Sequence, residues 1–294
     1  NIKTICYNFM PIVDWTRTQL DFQLPTDGLA LKFNYLQIII FEMFILKLKN
    51  LDQRYSGKQI NDAEILYKKM RPKDLNNMKF SIMGGLPASE TNYSINGFKK
   101  MLDSYKSIKH SDLRNNLRDF IRAILPIAEE NNIKMAIHPD DPPIPLFGVP
   151  RIVSTYEDYK FILNSYNSDS NGMTFCSGSL ASNINNNIYE IFNKFKNKVN
   201  FIHLRNVKIE KDKKSFYESN HLSGDVDFVK LIKMILKEEK RRSKNKKIDI
   251  PMRPDHGHAL LDDQKKKTFN PGYTAIGRLM GLSELRGIIK AVQN

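Results

Sequence analysis

The sequence has only two cysteines and no long apolar run, and each scarcity excludes a class of protein. Cys6 and Cys176 are too few for the disulfide framework of a small secreted domain, and free thiols fit a reducing compartment. The longest apolar stretch, Leu36 to Leu48, is interrupted by Glu42 and Lys47 and is too short to span a bilayer. No secretory signal opens the chain at Asn1. We therefore expect a cytoplasmic protein with no membrane partner.

Acidic residues are outnumbered by basic ones, and the formal net charge is +14 over 294 residues. Such an excess is typical of proteins that bind nucleic acid. Much of it, however, lies in three short lysine-rich patches, and no aromatic residues alternate with the lysines as in single-strand binders. The patches are Lys208–Lys214, Lys237–Lys247 and Lys265–Lys267. We therefore expect no nucleic-acid partner.

Five short segments, apolar and containing β-branched residues, predict buried parallel strands. They are Ile2–Met10, Ile133–His138, Gly172–Cys176, Val199–Leu204 and Ile248–Arg253. Helical patterns separate the later strands: one begins with a capping box at Ser154, one spans Asn187–Phe195, and one is capped by Asp225. This alternation predicts an α/β fold in which right-handed crossovers join parallel strands.

The segment between the first two strands is different, because helical patterns fill most of it. We expect a helical insertion at about 30–130 that caps one end of the sheet. No internal repeat or long linker is present, so residues 1–294 are predicted to form one domain. The exposed insertion could pair two copies, which is compatible with a homodimer.

Metal-competent side chains lie at the ends of four successive predicted strands, namely His138, Cys176, His203 and Asp255. A doubly wound nucleotide fold is disfavoured, because Gly84-Gly85 lacks the strand–GxGxxG–helix context. In a (β/α)8 barrel, by contrast, the carboxyl ends of all strands meet at one mouth. A single histidine is more often an ordinary core or surface residue, and a lone cysteine is more often a buried apolar one. Four at the same end favour a divalent metal site, suitable for Zn, Fe(II), Mn(II) or Co(II).

The motifs around these residues resemble those of the mannonate dehydratases, lyases of the glucuronate degradation route. The matching stretches are CYNFMPIVDWTRT, HPDDPPIPLFGVPRIVST, FCSGS, HLRN, HLSGDVD, PMRPDHGH and NPGYTAIGRLMGL. The resemblance implies a (β/α)8 TIM barrel in which His138, Cys176, His203 and Asp255 hold Mn(II) or Fe(II). It also implies catalytic acid/base roles for His256 and Tyr273. The implied substrate is a small sugar acid, D-mannonate, which would lose water to give 2-keto-3-deoxy-D-gluconate.

The implied reaction is consistent with these residue types. A proton next to a carboxylate is weakly acidic, and a cation on the substrate oxygens stabilises the charge left when it departs. One side chain must take the C2 proton and another must protonate the leaving C3 hydroxyl. The sequence leaves open which of His256 and Tyr273 does which. Arg205 and Arg253 either hold the substrate carboxylate or pair with acids at the barrel mouth.

The chain also departs from the family pattern. The family's barrel has eight strands and this sequence supplies five, so we expect an incomplete barrel that lacks an N-terminal portion. Leu180-Ala-Ser-Asn differs from the expected glycine and basic residue, which affects substrate contacts there. The alternatives are another metal-dependent barrel enzyme, such as a sugar isomerase or an endonuclease, or an inactive fragment of the dehydratase. A single set that contains cysteine argues against the multi-metal endonucleases.

Overall fold

A five-stranded parallel sheet runs through the structure, a computed structural model that describes residues 2–12, 15–84, 94–245, 249–266 and 269–293. Its strands, in spatial order, are β1 (Thr4–Tyr7), β4 (Lys134–Ile137), β5 (Asn171–Cys176), β6 (Val199–His203) and β9 (Met252–Arg253). All four pairings are parallel. The five predicted strands and their direction are confirmed, with shorter bounds; Ile248 lies outside the described residues.

Helices that connect these strands cover the sheet and form its main core. They are α6 (Tyr156–Asn164), α8 (Ile188–Phe195) and α9 (Phe228–Lys244). Their apolar faces pack on the buried residues of β5 and β6. Two predicted caps were off by one or two residues. Thr155 caps α6 and Asp227 caps α9, each by accepting a backbone N–H with its side chain.

A second, antiparallel sheet was not predicted. Its strands, in spatial order, are β2 (Gln19–Gln23), β3 (Leu29–Phe33), β8 (Phe216–Ser219) and β7 (Asn206–Ile209). These strands are only four or five residues long, and β2 and β8 contain several polar residues. A short amphipathic strand gives a weak signal in the sequence. The sheet matters for the site because β7 and β8 lie between Arg205 and His221 in the chain.

Helices follow β3 over the stretch in which the insertion was expected. They are α1 (Tyr35–Ile40), α2 (Gly57–Lys69), α3 (Pro72–Gly84), α4 (Ile95–Ser104) and α5 (His110–Glu130), with a π-helix (Phe41–Leu46) and a short 3-10 helix (Leu51–Gln53) between α1 and α2. The apolar residues of α1 to α4 join those of β3 and β8 in a second hydrophobic core, whereas those of α5 belong to the main core. The start of the expected insertion is therefore strand rather than helix.

The remaining helices are α7 (Ser177–Ala181), α10 (Asp262–Lys265) and α11 (Ala275–Gln293). Together with the helices above they give an α/β fold with a parallel half-barrel sheet. Cys6 is exposed on β1, where the Thr174 hydroxyl donates to its sulfur at 3.1 Å. Among the described residues, none of the helices is both long enough and apolar enough to cross a membrane.

Candidate active site

The parallel strands bring the predicted metal ligands to one edge of the sheet. His138 directly follows β4, while Cys176 and His203 are the last residues of β5 and β6 and lie opposite each other in register. His203 is also in register with Arg253, two residues before Asp255. Because neighbouring parallel strands end at the same level, residues up to 117 positions apart, His138 and Asp255, meet here.

The four side chains form a compact group of nitrogen, sulfur and oxygen atoms. One ligand atom each from His138, Cys176 and His203 lies within 4.8 Å of the others. His138 Nε2 is 3.1 Å from His203 Nδ1, which is 3.3 Å from Asp255 Oδ1. Asp255 Oδ2 is 3.9 Å from the Cys176 sulfur. Two imidazoles, a thiol and a carboxylate in such proximity are a donor set suited to a divalent transition metal.

The protonation states of the candidate ligands also favour binding of a cation. Burial lowers the pKa of both His138 and His203, which favours neutral imidazoles. His138 Nδ1 lies 2.7 Å from the Pro139 carbonyl, which only accepts, so this nitrogen carries the proton and Nε2 keeps its lone pair facing His203. Burial alone would raise the pKa of Asp255, but His203, His256, Arg205 and Arg253 hold it well below its ordinary value.

Asp255 adopts a left-handed backbone conformation, with φ of 68°. Few residues other than glycine do so, although aspartate is among the more tolerant, and such positions cluster at functional sites. The Arg253 guanidinium donates to Asp255 Oδ1 at 2.9 Å. The carboxylate is thus fixed beside the two histidines.

A buried network of opposite charges supports the cluster from the side of the second sheet. Arg17 donates to both oxygens of Asp141, at 2.9 and 3.1 Å, and to Glu218 at 2.7 Å. Arg205 donates to Asp141 at 2.7 Å and to the Ser179 hydroxyl at 2.8 Å. All four charged side chains are at most 3% exposed. A buried guanidinium needs such partners, since an unpaired buried charge is very costly.

The two predicted substrate-binding arginines therefore lie in different surroundings. Arg205 takes part in the buried ion pairs, which is the alternative that the sequence analysis gave to carboxylate binding. Arg253 also pairs with Asp255, but 39% of its side chain is exposed at the edge of the site. Of the two, Arg253 is the one with surface left for a ligand.

The predicted acid/base pair, His256 and Tyr273, adjoins the cluster. His256 Nε2 lies 3.2 Å from the Tyr273 hydroxyl. Tyr273 follows a tight turn in which Gly272 has φ of +80°, and the Gly257 N–H donates to the Gly272 carbonyl at 2.8 Å. Burial raises the pKa of Tyr273 to about 12, so that its hydroxyl keeps its proton at neutral pH.

Glu218 is the main site residue that the sequence analysis missed. Its Oε2 lies 2.7 Å from His256 Nδ1. Burial alone would raise its pKa, but His256, Arg205 and Arg17 lower it to about 2, so Glu218 is a carboxylate that only accepts. His256 Nδ1 therefore donates, and in the neutral ring Nε2 accepts from Tyr273. The sequence did contain a signal for this hairpin. Apolar and polar residues alternate in VKIE and in SFYE, and a polar turn separates the two segments.

Three other side chains that bear on the predictions lie elsewhere. His110 is half exposed and 3.8 Å from Asp158. The buried ring of His221 lies against Glu284 and the Pro254 carbonyl. His258, beside the predicted catalytic histidine, bonds to Asn220 at 3.1 Å. None of these three histidines belongs to the metal-competent group of His138, Cys176 and His203.

Fold and site together define an α/β enzyme with a candidate metal centre at the carboxyl ends of its parallel strands. The chain belongs to the D-mannonate dehydratase (UxuA) family, whose model matches residues 1–294. It is 42% identical over 288 residues to a mannonate dehydratase of Marinomonas sp. (strain MWYL1), covering 98% of this chain and 73% of that one. A mannonate dehydratase of Chromohalobacter salexigens is also 42% identical over 292 residues, covering 99% of this chain and 74% of that one.

A solved structure agrees with this assignment. The crystal structure of mannonate dehydratase from Streptococcus suis serotype 2 matches with a TM-score of 0.71 and 32% identity, covering 99% of this chain and 66% of that one. The family match includes every residue of this chain, and the chain spans about three quarters of the length of the two curated relatives.

Proposed function

We propose that this protein catalyses the metal-dependent dehydration of D-mannonate to 2-keto-3-deoxy-D-gluconate, a step of glucuronate degradation in the cytoplasm. One observation carries the proposal: the His138, Cys176 and His203 cluster, with Asp255 beside it, adjoins a hydrogen-bonded His256–Tyr273 pair. The relatives that share 42% identity with the chain are named mannonate dehydratases.

The cluster is proposed to hold Mn(II) or Fe(II) through His138, Cys176, His203 and Asp255. When bound, the cation would draw electron density from the substrate's oxygens and so stabilise the negative charge that develops next to the carboxylate. Arg253, the more exposed of the two arginines, is proposed to hold the substrate carboxylate by paired hydrogen bonds. Arg205 is proposed to support substrate binding indirectly, because it holds Asp255 and Asp141 in place through ion pairs.

The hydrogen bonds suggest which residue is the base. His256 donates through Nδ1 to Glu218, so the lone pair of Nε2 can take the C2 proton once the Tyr273 hydroxyl turns from it to the substrate. Tyr273 keeps its proton at neutral pH and is proposed to donate it to the departing C3 hydroxyl, which leaves as water. His256 Nε2, 3.2 Å away, can then return its proton to the Tyr273 oxygen. The enol that forms becomes the 2-keto product, and both side chains regain their starting states.

The parallel half-barrel sheet is proposed to be part of a larger barrel. We propose that these five strands belong to a (β/α)8 arrangement, incomplete in this chain, and that residues 1–294 form one domain with the mainly helical insertion at about 30–130. The parallel strand order and the convergence of strand-end side chains support this proposal. The proposed partner is a small sugar acid, without nucleic acid or membrane, and a homodimer is proposed as the assembly.

The test of function is turnover. The full chain, loaded with Mn(II) or Fe(II), is incubated with D-mannonate, and the 2-keto-3-deoxy acid is quantified against time. We expect product that disappears with a chelator and in His138→Ala, and far less product from D-gluconate, the C2 epimer. Metal-loaded, folded protein that yields no product would refute the proposal.

A further inference from the structure

A second cavity, of about 960 Å³, lies away from the candidate active site. It is bounded by the start of α1, the start of α5, the loop 143–151, the loop 182–185 and the turn 212–214. Its lining includes none of the candidate metal ligands, and neither His256, Tyr273 nor Glu218. The cavity is therefore a different space from the candidate metal cluster.

Positive charge predominates on the cavity wall. Five cationic side chains line it, namely Arg54, Arg114, Arg151, Lys213 and Lys214, against the two carboxylates of Asp158 and Asp212. Some of this charge is neutralised nearby, since Arg114 pairs with Asp158 at 2.6 Å and Arg54 pairs with Glu42 at 2.5 Å. In the described part of the chain, Lys213 forms no ion pair. A surplus of cations in a concave wall attracts anions, because low-dielectric walls focus their field.

Arg151 gives an independent indication of a ligand. Its side chain is only 2% exposed, yet neither Nη1 nor Nη2 has a hydrogen-bond acceptor within the described residues. Nη1 forms an ion pair at 3.5 Å with Asp140 Oδ1, an oxygen that has no hydrogen-bond partner among the described residues. The other Asp140 oxygen accepts from the Val153 N–H and the Ser154 hydroxyl, so Nη2 is the nitrogen left without a partner. Buried donors without acceptors are costly, and an oxyanion would satisfy Nη2.

The rest of the wall is apolar and aromatic. Tyr35 and Tyr55 meet edge to face with ring centroids 5.9 Å apart, and Phe147 also lines the space. The Lys214 ammonium lies 4.3 Å from the centre of the Tyr35 ring. Apolar walls with a few placed polar groups are typical of small-molecule sites. A bare inorganic ion would leave these rings uncovered.

We propose that this cavity binds a small organic anion, a phosphate or carboxylate attached to an apolar or aromatic body. The oxyanion is held by Arg151 with Lys213 beside it, and the body lies against Tyr35 and Phe147. This site is distinct from the metal centre and does not depend on the proposed reaction.

Calorimetric titration of the full, Mn(II)-loaded chain tests the proposal with phenyl phosphate, benzoate and phenol as probes. We expect phenyl phosphate or benzoate to bind, the stronger of the two showing whether phosphate or carboxylate is preferred, and phenol to bind at least tenfold more weakly. Arg151→Gln removes a charged hydrogen-bond donor and is expected to weaken binding by about tenfold. Lys213→Gln is expected to weaken it by about threefold.

Lys211→Gln is the matched control, because this exposed lysine lies on the same turn but does not line the cavity. Lys213→Gln decides the outcome if Arg151→Gln does not fold. Equal binding of phenol, no binding of either anion, or binding that Lys213→Gln and Lys211→Gln leave equally strong would overturn the proposal. Binding that His138→Ala abolishes would also overturn it, since the anion would then occupy the metal centre.

Discussion

At the scale of single residues, the buried carboxylate of Glu218 determines how His256 can act. Glu218→Gln keeps the side chain's shape but removes the charge that fixes the proton on Nδ1. We expect kcat to fall by roughly 100-fold, within the range that positioned acid/base groups contribute, while KM changes less than threefold. Steady-state kinetics with D-mannonate measure both.

Glu210→Gln is the control for this prediction, because Glu210 lies on the same hairpin and pairs with Lys32 away from the site. Bound metal and the melting temperature are measured for both variants. An unchanged kcat in folded, metal-loaded Glu218→Gln would show that Glu218 does not position His256.

The same carboxylates make stability depend on pH. The pKa of Glu218 is lowered from 4.5 to about 2, and that of Asp141 is also lowered by Arg17 and Arg205 despite its burial. Because the folded values lie below the unfolded ones, this stability is present above about pH 4.5 and is lost as pH falls towards 2. Urea unfolding at a series of pH values should show the free energy of unfolding falling over this window. The fall should be shallower in Glu218→Gln, and an equal slope would contradict the ion-pair network.

The candidate ligands were predictable one by one, whereas their supporting contacts were not. His138, Cys176 and His203 lie at strand ends, and a strand end is visible in the sequence as the point where an apolar run stops. The partners of Arg17, in contrast, are 124 and 201 residues away along the chain. Such pairs form only when two separate sheets meet, and no local pattern records that.

At the scale of elements, helix α11 packs closely against the segment that carries His256. A Cβ on Gly277 would lie 2.0 Å from the His258 carbonyl oxygen, whereas a Cβ on Gly287, in the same helix, would meet nothing within 4 Å. Gly277→Ala should therefore destabilise the protein by about 1–3 kcal/mol. Gly287→Ala should stabilise it by about 0.5–1 kcal/mol, since alanine is the better helix former. Thermal unfolding of the pair measures both effects, and equal shifts would contradict this packing.

The two sheets also differ in how far the sequence predicts them. The strands of the parallel sheet are buried runs such as that of β5, in which every residue is buried. β8 has the sequence FYES, which is short and contains two polar residues, so it was not recognised as a strand. Glu218 was missed with it. β2 was missed for the same reason, since its five residues include two glutamines and an aspartate. Continuous apolar runs carry more signal than short amphipathic strands.

At the scale of the whole molecule, the proposed assembly is a homodimer formed through the residues of the insertion. We expect sedimentation equilibrium to give twice the monomer mass at micromolar concentration, in buffer with 0.15 M salt, where the net charge of +14 is largely screened. A monomer at all concentrations tested would exclude this assembly. The family assignment does not depend on the outcome.

The strand-end cluster is proposed to hold the metal that dehydration requires, and the two cysteines of the chain offer a matched test. Cys176→Ser alters the cluster, whereas Cys6→Ser alters an exposed thiol on β1. After Mn(II) loading and dialysis, bound metal and the rate of D-mannonate dehydration are measured on the same samples. We predict that Cys176→Ser loses at least tenfold in bound metal and in rate, within the range seen when metal sites are disturbed, while Cys6→Ser keeps both. Full metal content and rate in Cys176→Ser would contradict it.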